Sequence, residues 1–405
     1  MKPGEAAPHR FSVRVPRSGR LLLSLLARLR HGRLNLVVPG GQSFSFTGDL
    51  PGPDATIHLE DWKVFDDVRR SGDVGFAEAY LDKRWQTPDL RALLELIAMN
   101  RAVLERLLYG KWWGRLYYRF RHLRRTNTRK GAKRNIHSHY DLGNTFYRSW
   151  LDETMTYSAA LFEGDPDRTI EQAQIAKYER ILQRLGVKAD DQILEIGCGW
   201  GGFADHAART HGCRVHGITL STAQLEYANQ RISEAGLSHL VEFSLTDYRE
   251  VKGSFDHVVS IEMFEAVGER FWPEYFSVVR DRLKPAGKAL VQTITIADEL
   301  FAQYRKSTDF IQQYIFPGGM LPCPSVFRKL AGRAGLNVRD EYRFGIDYAE
   351  TLNYWRNRYR KVSGELHALG FDARFERLWD FYLVYCEVGF RCASTDVMQL
   401  ELHRE

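Results

Sequence analysis

Near the middle of the chain lies the sequence Ile193-Leu194-Glu195-Ile196-Gly197-Cys198-Gly199-Trp200-Gly201-Gly202. Its apolar start predicts a buried strand, its glycines predict a tight turn, and residues 203–209 that follow predict a helix. Glycine lets the backbone come close to a ligand because it has no Cβ atom. A strand, a glycine turn and a helix in this order are typical of the edge at which a parallel α/β sheet receives a nucleotide-like cofactor.

The spacing of the glycines narrows the choice of cofactor. Gly197, Gly199 and Gly201 form Gly-x-Gly-x-Gly, whereas dinucleotide-binding folds use Gly-x-Gly-x-x-Gly. Glu195 lies in the approach to this turn, and a carboxylate there suits the cationic methionine end and the ribose hydroxyls of S-adenosylmethionine (SAM). The motif alone is moderately specific, because many glycine-rich turns are only turns.

Composition indicates a globular protein of more than one domain. The chain has 405 residues, of which 44% are hydrophobic and 27% are charged, and its formal net charge is +6. Since a domain usually takes about 100–200 residues, two domains are expected. The five cysteines are odd in number and include no Cys-x-x-Cys pair. This pattern favours a reducing compartment and argues against a disulfide framework or a metal site.

No part of the sequence predicts a membrane span. The longest apolar candidate, residues 21–27, is far shorter than the roughly 20 residues that a spanning helix needs. A signal peptide would need a longer apolar core and a cleavage site of small residues. We therefore expect an amphipathic helix at residues 21–29 and a cytoplasmic protein.

The first 108 residues predict a small α+β domain. Polar and apolar residues alternate between residues 33 and 60, which predicts short strands. Turns are predicted between these strands at Pro39-Gly40-Gly41 and at Pro51-Gly52-Pro53. Residues 61–108 predict helices, one of which starts at Asp89.

A basic segment follows this domain. Residues 106–134 contain 11 lysines and arginines and no acidic residue. Trp112, Leu116, Phe120 and Leu123 share one helical face, so residues 109–134 predict a basic, aromatic linker helix. Three interpretations stay open: a helix on an anionic membrane surface, a linker that docks on the next domain, or a segment that binds single-stranded nucleic acid.

The rest of the chain, residues 135–405, predicts a doubly wound, Rossmann-like α/β domain with helical additions. Strands are predicted at residues 192–196, 214–219, 241–244, 257–261 and 288–295, with helices between them. The tail at residues 348–402 reads as mostly helical. In such a sheet the ligand lies at the carboxyl ends of the strands.

Polar residues stand at three further strand ends, the last of which is that of the fourth strand, where the chain runs into Ser260-Ile261-Glu262-Met263-Phe264-Glu265. Thr219 and Leu220 end the second strand, and Gln224 follows one turn later, where a polar side chain can bind ribose hydroxyls. Asp247 after the third strand can accept from an adenine amino group, and Tyr248 can lie against the adenine face. Taken singly, Asp247 could be a turn aspartate and Gln224 a solvated helix residue. Together with the glycine turn, these residues predict a SAM site.

The chain resembles the cyclopropane fatty acid synthase family, SAM-dependent enzymes that modify double bonds of lipid acyl chains. The resemblance covers roughly residues 74–395 and rests on a highly specific set of motifs. These are Phe76-Ala77-Glu78-Ala79-Tyr80, His139-Tyr140-Asp141-Leu142-Gly143-Asn144, Tyr157-Ser158, the glycine turn, Gly217-Ile218-Thr219-Leu220-Ser221 with Gln224, Met263-Phe264-Glu265, and residues 310–319. It implies that Tyr157 and Ser158 bind SAM together with the strand ends above. It also implies an acyl tunnel and an N-terminal domain that addresses membrane phospholipid, which strengthens the membrane interpretation.

The resemblance also implies a mechanism. Attack of an alkene on the sulfonium methyl leaves a carbocation, and a bound bicarbonate is thought to remove the proton that allows a ring to close. The bicarbonate site of the family maps to Glu265, the backbone of Ile294, and Tyr348, which match. Two further positions depart from the pattern: Ala159 replaces a cysteine, and Gln292 replaces a histidine. Ala159 keeps only its backbone N–H, and Gln292 can donate but carries no charge.

These departures make bicarbonate doubtful and suggest another base. Glu265, a carboxylate whose pKa an apolar site should raise, is the predicted alternative. The favoured product is then a methyl-branched unsaturated chain, a form that could precede furan fatty acids. The alternative is a cyclopropane made with bicarbonate. A nucleic-acid methyltransferase is a remoter alternative, because no Asn/Asp-Pro-Pro-aromatic motif is present to hold a flipped base. A lipid-binding relative without activity is disfavoured by the retained Glu265 and Tyr348. We expect phospholipid acyl chains and an anionic membrane surface as partners, no nucleic acid, association with the inner face of the membrane, and leave a homodimer open.

Overall fold

The computed structural model describes residues 15–108 and 142–404. The chain divides into two compact units near residue 116, and each is described by itself. The predicted basic helix at residues 109–134 lies outside the described residues. Among the residues that are described, no helix is long and apolar enough to cross a membrane.

The N-terminal unit is a four-stranded sheet with helices, as the α+β prediction requires. Its strands lie in the order β2-β1-β3-β4, with β1 antiparallel to β2 and parallel to β3. The elements are α1 (Arg17–Leu26), β1 (His31–Val37), β2 (Ser43–Thr47), β3 (Leu50–Leu59), α2 (Lys63–Ser71), α3 (Asp73–Leu81), β4 (Trp85–Gln86), α4 (Leu90–Met99) and α5 (Arg101–Leu108). Asp89 caps α4 by accepting a hydrogen bond from the N–H of Ala92 at 3.0 Å, so the predicted helix start is confirmed.

One predicted turn in this unit is wrong. Pro51-Gly52-Pro53 lies inside β3, and the chain turns at residues 48–49 instead. The pairing of β1 with β3 shifts register between His31 and Arg33, beside these residues. A strand tolerates proline at such an irregularity because no regular ladder hydrogen bond is lost there.

The C-terminal unit contains the predicted strands in one mixed sheet. Its elements are α6 (Gly143–Trp150), α7 (Ile170–Leu185), β5 (Gln192–Ile196), α8 (Gly202–His211), β6 (Arg214–Thr219), α9 (Thr222–Glu234), β7 (Val241–Leu245), β8 (Phe255–Ile261), α10 (Trp272–Arg282), β9 (Leu283–Ile296), α11 (Asp298–Tyr304), α12 (Phe310–Tyr314), α13 (Pro324–Arg333), β10 (Leu336–Arg343), α14 (Gly345–Lys361), α15 (Ser363–Ala368), α16 (Ala373–Arg391) and β11 (Thr395–Arg404). The strand order is β10-β11-β9-β8-β5-β6-β7. The run from β9 to β7 is parallel, whereas β11 and β10 add antiparallel pairs.

Two apolar clusters cover the two faces of this sheet. Leu194 and Ile196 of β5 belong to one cluster, and Ile193 belongs to the other. Successive residues of a strand point to opposite faces, so the sheet is buried on both sides. This is the doubly wound α/β architecture that the sequence predicts.

The prediction of a mostly helical tail at residues 348–402 is wrong at its end. Residues from Thr395 onward form β11, which lies between β9 and β10. The strand is hard to recognise because polar Gln399 and Glu401 are buried among its apolar residues. Their partners come from elsewhere: Arg180 donates to Gln399 at 2.6 Å, and Arg184 pairs with Glu401 at 2.7 Å.

Candidate active site

The glycine turn lies at the carboxyl end of β5. Gly197, Gly199 and Gly201 have φ angles of +88°, +51° and +82°, a region that glycine adopts without strain. A Cβ atom at Gly199 would meet no protein atom within 4 Å, whereas one at Gly197 would lie 2.9 Å from Cγ of Met263. The turn therefore needs glycine for its backbone, and beside Gly199 it leaves space that a ligand can fill.

Asn144 supports this turn from outside. Its Oδ1 accepts a hydrogen bond from the indole N–H of Trp200 at 2.8 Å, and its Nδ2 donates to the carbonyl of Ala223 at 3.0 Å. One amide thus ties the turn to the start of α9. Asn144 belongs to a motif of the sequence, but its role could not be predicted, since its contacts with residues 200 and 223 are far apart in the chain and leave no local pattern.

The end of β6 gathers its predicted residues into one cluster. The hydroxyl of Thr219 donates to Oε1 of Gln224 at 2.9 Å and accepts from the N–H of Ser221 at 3.1 Å. Thr219 and Gln224 are buried, so Gln224 is not a solvated helix residue. Leu220 is half-buried between them.

The end of β7 differs from its prediction in one respect. Both carboxylate oxygens of Asp247 are engaged by Arg249, through Nε at 2.8 Å and Nη2 at 2.6 Å. Asp247 is therefore first a turn residue with a buried ion pair, and adenine recognition by it stays a prediction. The ring of Tyr248 is buried and packs edge-on against Tyr275, with the centroids 5.7 Å apart.

Two buried charged groups lie beneath the turn. Glu195 is 2% exposed, and its Oε2 has no hydrogen-bond partner within the described part of the chain. Burial raises the pKa of Glu195 to about 8. Lys177, fully buried, donates to Oγ of Ser158 at 2.7 Å and to Oε1 of Gln174 at 2.6 Å. Burial lowers the pKa of Lys177 to about 7, against the opposing influence of nearby carboxylates.

Two glutamates define the end of β8. Glu262 directly follows the strand, and Glu265 lies in the short 3-10 turn Phe264–Ala266. Oε1 of Glu265 accepts hydrogen bonds from the N–H of Ile294 and from the hydroxyl of Thr293, the latter at 3.0 Å. Oε2 of Glu265 is buried and has no hydrogen-bond partner among the described residues. Burial, with the charge of Glu262 next, raises the pKa of Glu265 to about 8, in the predicted direction.

Glu262 receives three of the donors that the family resemblance assigns to bicarbonate, whereas the N–H of Ile294 donates to Glu265. Its Oε1 accepts from the N–H of Ala159 at 2.8 Å and from Nε2 of Gln292 at 2.7 Å, and its Oε2 accepts from the hydroxyl of Tyr348 at 2.7 Å. Burial raises the pKa of Glu262, while these three donors and the charge of Lys177 oppose that rise. The sequence analysis missed this role. Its available signal was a carboxylate at the carboxyl end of a parallel strand.

Aromatic rings pack around Tyr348, the hydrogen-bond partner of Glu262. Tyr348, bonded to Glu262, packs 4.5 Å from the ring of Phe390 and 6.1 Å from that of Trp355. Tyr157 lies 5.3 Å from Trp355 and shares a 2.6 Å hydrogen bond between its hydroxyl and that of Tyr382. Negative ring faces of this kind can stabilise a cation.

Helix α14 carries two of these rings, Tyr348 and Trp355, and it also holds the loop that contains Tyr157 and Ser158. Thr351 accepts from the N–H of Ala160 at 3.1 Å, and Asp347 accepts from the N–H of Phe162 at 2.8 Å. The same helix carries Tyr348. The loop and the tyrosine hydroxyl are therefore fixed relative to each other by one rigid element.

The residues present fit SAM. The glycine cradle leaves open space at Gly199, and Glu195 and Glu265 each present a buried carboxylate oxygen without a protein partner in the described regions. Buried carboxyl oxygens of this kind can accept from ribose hydroxyls, and a bound cation favours their ionised form. When bound, SAM supplies an electrophilic methyl group. A doubly wound sheet that presents such a cradle beside a carboxylate pair defines the class of SAM-dependent methyltransferases.

Comparison with known proteins places the chain within this class. A family model described as mycolic acid cyclopropane synthetase matches residues 127–400. Tuberculostearic acid methyltransferase UfaA1 of Mycobacterium tuberculosis is 38% identical over 383 residues, which cover 93% of this chain and 88% of the relative. Cyclopropane-fatty-acyl-phospholipid synthase of Escherichia coli K12 is 34% identical over 357 residues, which cover 86% and 88%.

A solved structure agrees with these sequence relatives. Mycolic acid cyclopropane synthase CmaA1, complexed with SAH and CTAB, superimposes with a TM-score of 0.63 at 32% identity, over 67% of this chain and 98% of CmaA1. The chain belongs to the cyclopropane synthase family and is a SAM-dependent methyltransferase. The predicted family, fold class and cofactor are thereby confirmed.

Proposed function

We propose that this enzyme methylates a double bond in the unsaturated acyl chains of membrane phospholipids, and that its product is a methyl-branched unsaturated chain. One observation carries the proposal: the carboxylates of Glu262 and Glu265 lie at the end of β8 beside the aromatic ring of Tyr348. That combination suits a reaction that forms a carbocation and then removes a proton.

The aromatic wall supports the first half of that reaction. An alkene is a weak nucleophile, and its methylation leaves positive charge on the neighbouring chain carbon. The rings of Tyr348, Trp355 and Tyr157 form a cluster whose Tyr348 hydrogen-bonds to Glu262, and aromatic rings can stabilise such a charge. Apolar surroundings also keep out water that would trap the cation.

The choice of product rests on two positions. Ala159 and Gln292 stand where the family resemblance implies a cysteine and a histidine, so a bicarbonate site would be weakened. The relative UfaA1, at 38% identity, is named a tuberculostearic acid methyltransferase, which favours transfer of a methyl group over ring formation. A cyclopropane product made with bicarbonate is the second candidate, favoured by the relative in Escherichia coli, a cyclopropane-fatty-acyl-phospholipid synthase.

Access to phospholipid is the remaining part of the proposal. Residues 106–134 carry 11 basic residues and no acidic one, which supports peripheral binding to an anionic membrane surface from the cytoplasmic side. A substrate acyl chain would then reach the site from the bilayer, without nucleic acid as a partner.

Lipid analysis tests this function. Bacterial cells that express the chain should accumulate fatty acid methyl esters heavier than their precursors by one CH2 group. NMR of the purified esters should show a methyl or methylene branch beside retained unsaturation, and no ring protons. Cells that express the Gly199→Val variant provide the control. Ring protons in the product would refute the branched assignment, and unchanged lipids would refute the activity on acyl chains.

A further inference from the structure

The strongest clue to the proton acceptor is the convergence of donors on Glu262. A backbone N–H from residue 159, an amide from Gln292 and a phenol from Tyr348 all point at one carboxylate, at 2.7–2.8 Å. These are the positions from which the family resemblance implies that bicarbonate is held. A carboxylate and bicarbonate share a charge of −1 and a planar pair of acceptor oxygens, so one can take the place of the other.

We propose that the carboxylate of Glu262 stands in the place of bicarbonate and is the general base of this enzyme. The proposal rests on the proposed methyl transfer to an acyl double bond and names the residue that completes it. It moves the role of base from Glu265, which the sequence predicts, to its neighbour. Bicarbonate then has no part in the reaction of this chain.

A chain of buried amides sets the direction of the hydrogen bond to Glu262. Arg180 can only donate, so Gln399 must turn its Oε1 toward Arg180, at 2.6 Å. Nε2 of Gln399 then faces Oε1 of Gln292 at 3.0 Å, which leaves the Nε2 of Gln292 to donate to Glu262. An amide held in this orientation is suited to a permanent anion beside it. Gln292 is thus a positioning residue matched to Glu262.

The backbone conformation of Glu262 also supports a functional role for its side chain. Its φ of +49° lies in the left-handed region, which a non-glycine residue adopts only at a cost. Such strain is retained where the surrounding structure needs the side chain at that point. Glu262 follows β8 at the carboxyl edge, where ligands of this fold bind.

The two neighbouring carboxylates divide the roles of anion and acid. Glu262 accepts three hydrogen bonds, whereas Oε2 of Glu265 has no partner among the described residues and burial raises the pKa of Glu265 to about 8, so Glu262 is the better stabilised anion of the two. In the reaction, an alkene carbon forms a bond to the transferred methyl as the methyl–sulfur bond breaks and its electron pair stays on sulfur. A chain carbon next to the cation gives its proton to Glu262, and the C–H electron pair becomes the new double bond.

Removal of the charge at Glu262 is the first test. Glu262→Gln should lower turnover by about 10²–10⁴-fold, the usual contribution of a general base, while calorimetry shows SAM binding within about threefold of the parent. Glu265→Gln should lower turnover by less than about tenfold, since the amide resembles a protonated acid. Glu299→Gln on the exposed surface of α11 is the matched control. Full turnover in Glu262→Gln, or a larger loss in Glu265→Gln, would overturn the assignment.

Glycine at position 262 gives a second test that does not depend on turnover alone. Glycine accepts a positive φ, so Glu262→Gly should fold and leave its three donors facing an anion-sized space. NMR with 13C-bicarbonate should show binding to Glu262→Gly and none to the parent, and formate or bicarbonate should restore part of the lost turnover. Bicarbonate binding to the parent, or a parent rate that depends on bicarbonate, would overturn the proposal.

The two proposals fail in different ways. The structure of the lipid product made by the parent judges the proposed function. Bicarbonate binding by the parent and by Glu262→Gly judges the role of Glu262, whichever product forms. A cyclopropane product together with a bicarbonate-free parent would refute the branched product and leave Glu262 as the base.

Discussion

The carboxyl ends of β5 and β8 lie on the same edge of the sheet but are built in different ways. At β5 the backbone makes the site: three glycines with positive φ angles lie within five consecutive residues. At β8 the site is made by side chains from distant segments, since the donors to Glu262 come from residues 159, 292 and 348. A backbone cradle leaves a local motif in the sequence, whereas a carboxylate network leaves only single residues whose meaning depends on the fold.

The largest expected effect is the loss of SAM binding when the glycine turn after β5 is disrupted. Gly199→Val should abolish SAM binding, because φ is +51° there and a branched side chain would fill the open space of the cradle. Calorimetric titration with SAM measures the loss. Gly253→Val is the matched control: its φ is +86° and its surroundings are equally open, but it lies just before β8, at the opposite edge of the sheet. Normal SAM affinity in a folded Gly199→Val would contradict the assignment of the cradle.

The second prediction concerns the side-chain site at β8 and restores the cysteine and the histidine that the family resemblance implies at positions 159 and 292. Ala159→Cys with Gln292→His, added to Glu262→Gly so that the place of bicarbonate is empty, should make turnover more dependent on bicarbonate and move the product toward cyclopropane. A neutral histidine can accept from Gln399 through one ring nitrogen and donate to an anion through the other, and a protonated one adds a positive charge that favours the anion. Product NMR at controlled bicarbonate compares this triple variant with Glu262→Gly alone. Identical products and identical dependence in the two proteins would show that the two positions are neutral.

The contrast between the two strand ends also explains what sequence reasoning could reach. Strands β5 to β9 were predictable because each is an apolar run between turn or helix signals. Strand β11 was not, because buried Gln399 depends on Arg180 and Gln292 for its hydrogen bonds. The family resemblance identified Tyr348 and Gln292 as site residues. That both donate hydrogen bonds to Glu262 could be seen only in the folded structure.

A smaller effect concerns the stability of the β8 end. The folded-state pKa of Glu265 is about 8, above its ordinary value of 4.5. The folded protein therefore holds this proton more tightly than the unfolded chain, so its stabilising contribution is complete below about pH 4.5 and is lost as the pH rises through about 8. Glu265→Gln cannot lose a proton, and its melting temperature should fall less between pH 5 and pH 9.

Thermal unfolding without SAM measures this difference. A change of about 1 kcal/mol moves the melting temperature by roughly 2–4 °C in a unit of this size, so a shift of several degrees is expected. Glu299→Gln should follow the parent curve. Parallel curves for the parent and Glu265→Gln would show that Glu265 is already ionised at neutral pH, and would weaken the division of roles between the two glutamates.

The smallest expected effect is on membrane binding by the basic segment, whose role is inferred from its composition. The basic segment at residues 106–134 has neither a local motif like the turn after β5 nor described contacts like those of Glu262, and its predicted role rests on charge alone. Each basic residue near an anionic surface contributes about 1 kcal/mol. Replacement of Arg119, Arg121, Arg124 and Arg125 by Gln should weaken sedimentation with vesicles that contain anionic lipid. The difference should be greatest at low salt, where screening is least. SAM binding should not change, since the cofactor site belongs to the strand ends. If vesicle binding is indifferent to both the substitutions and the salt, the segment is a linker, and phospholipid reaches the enzyme by another surface.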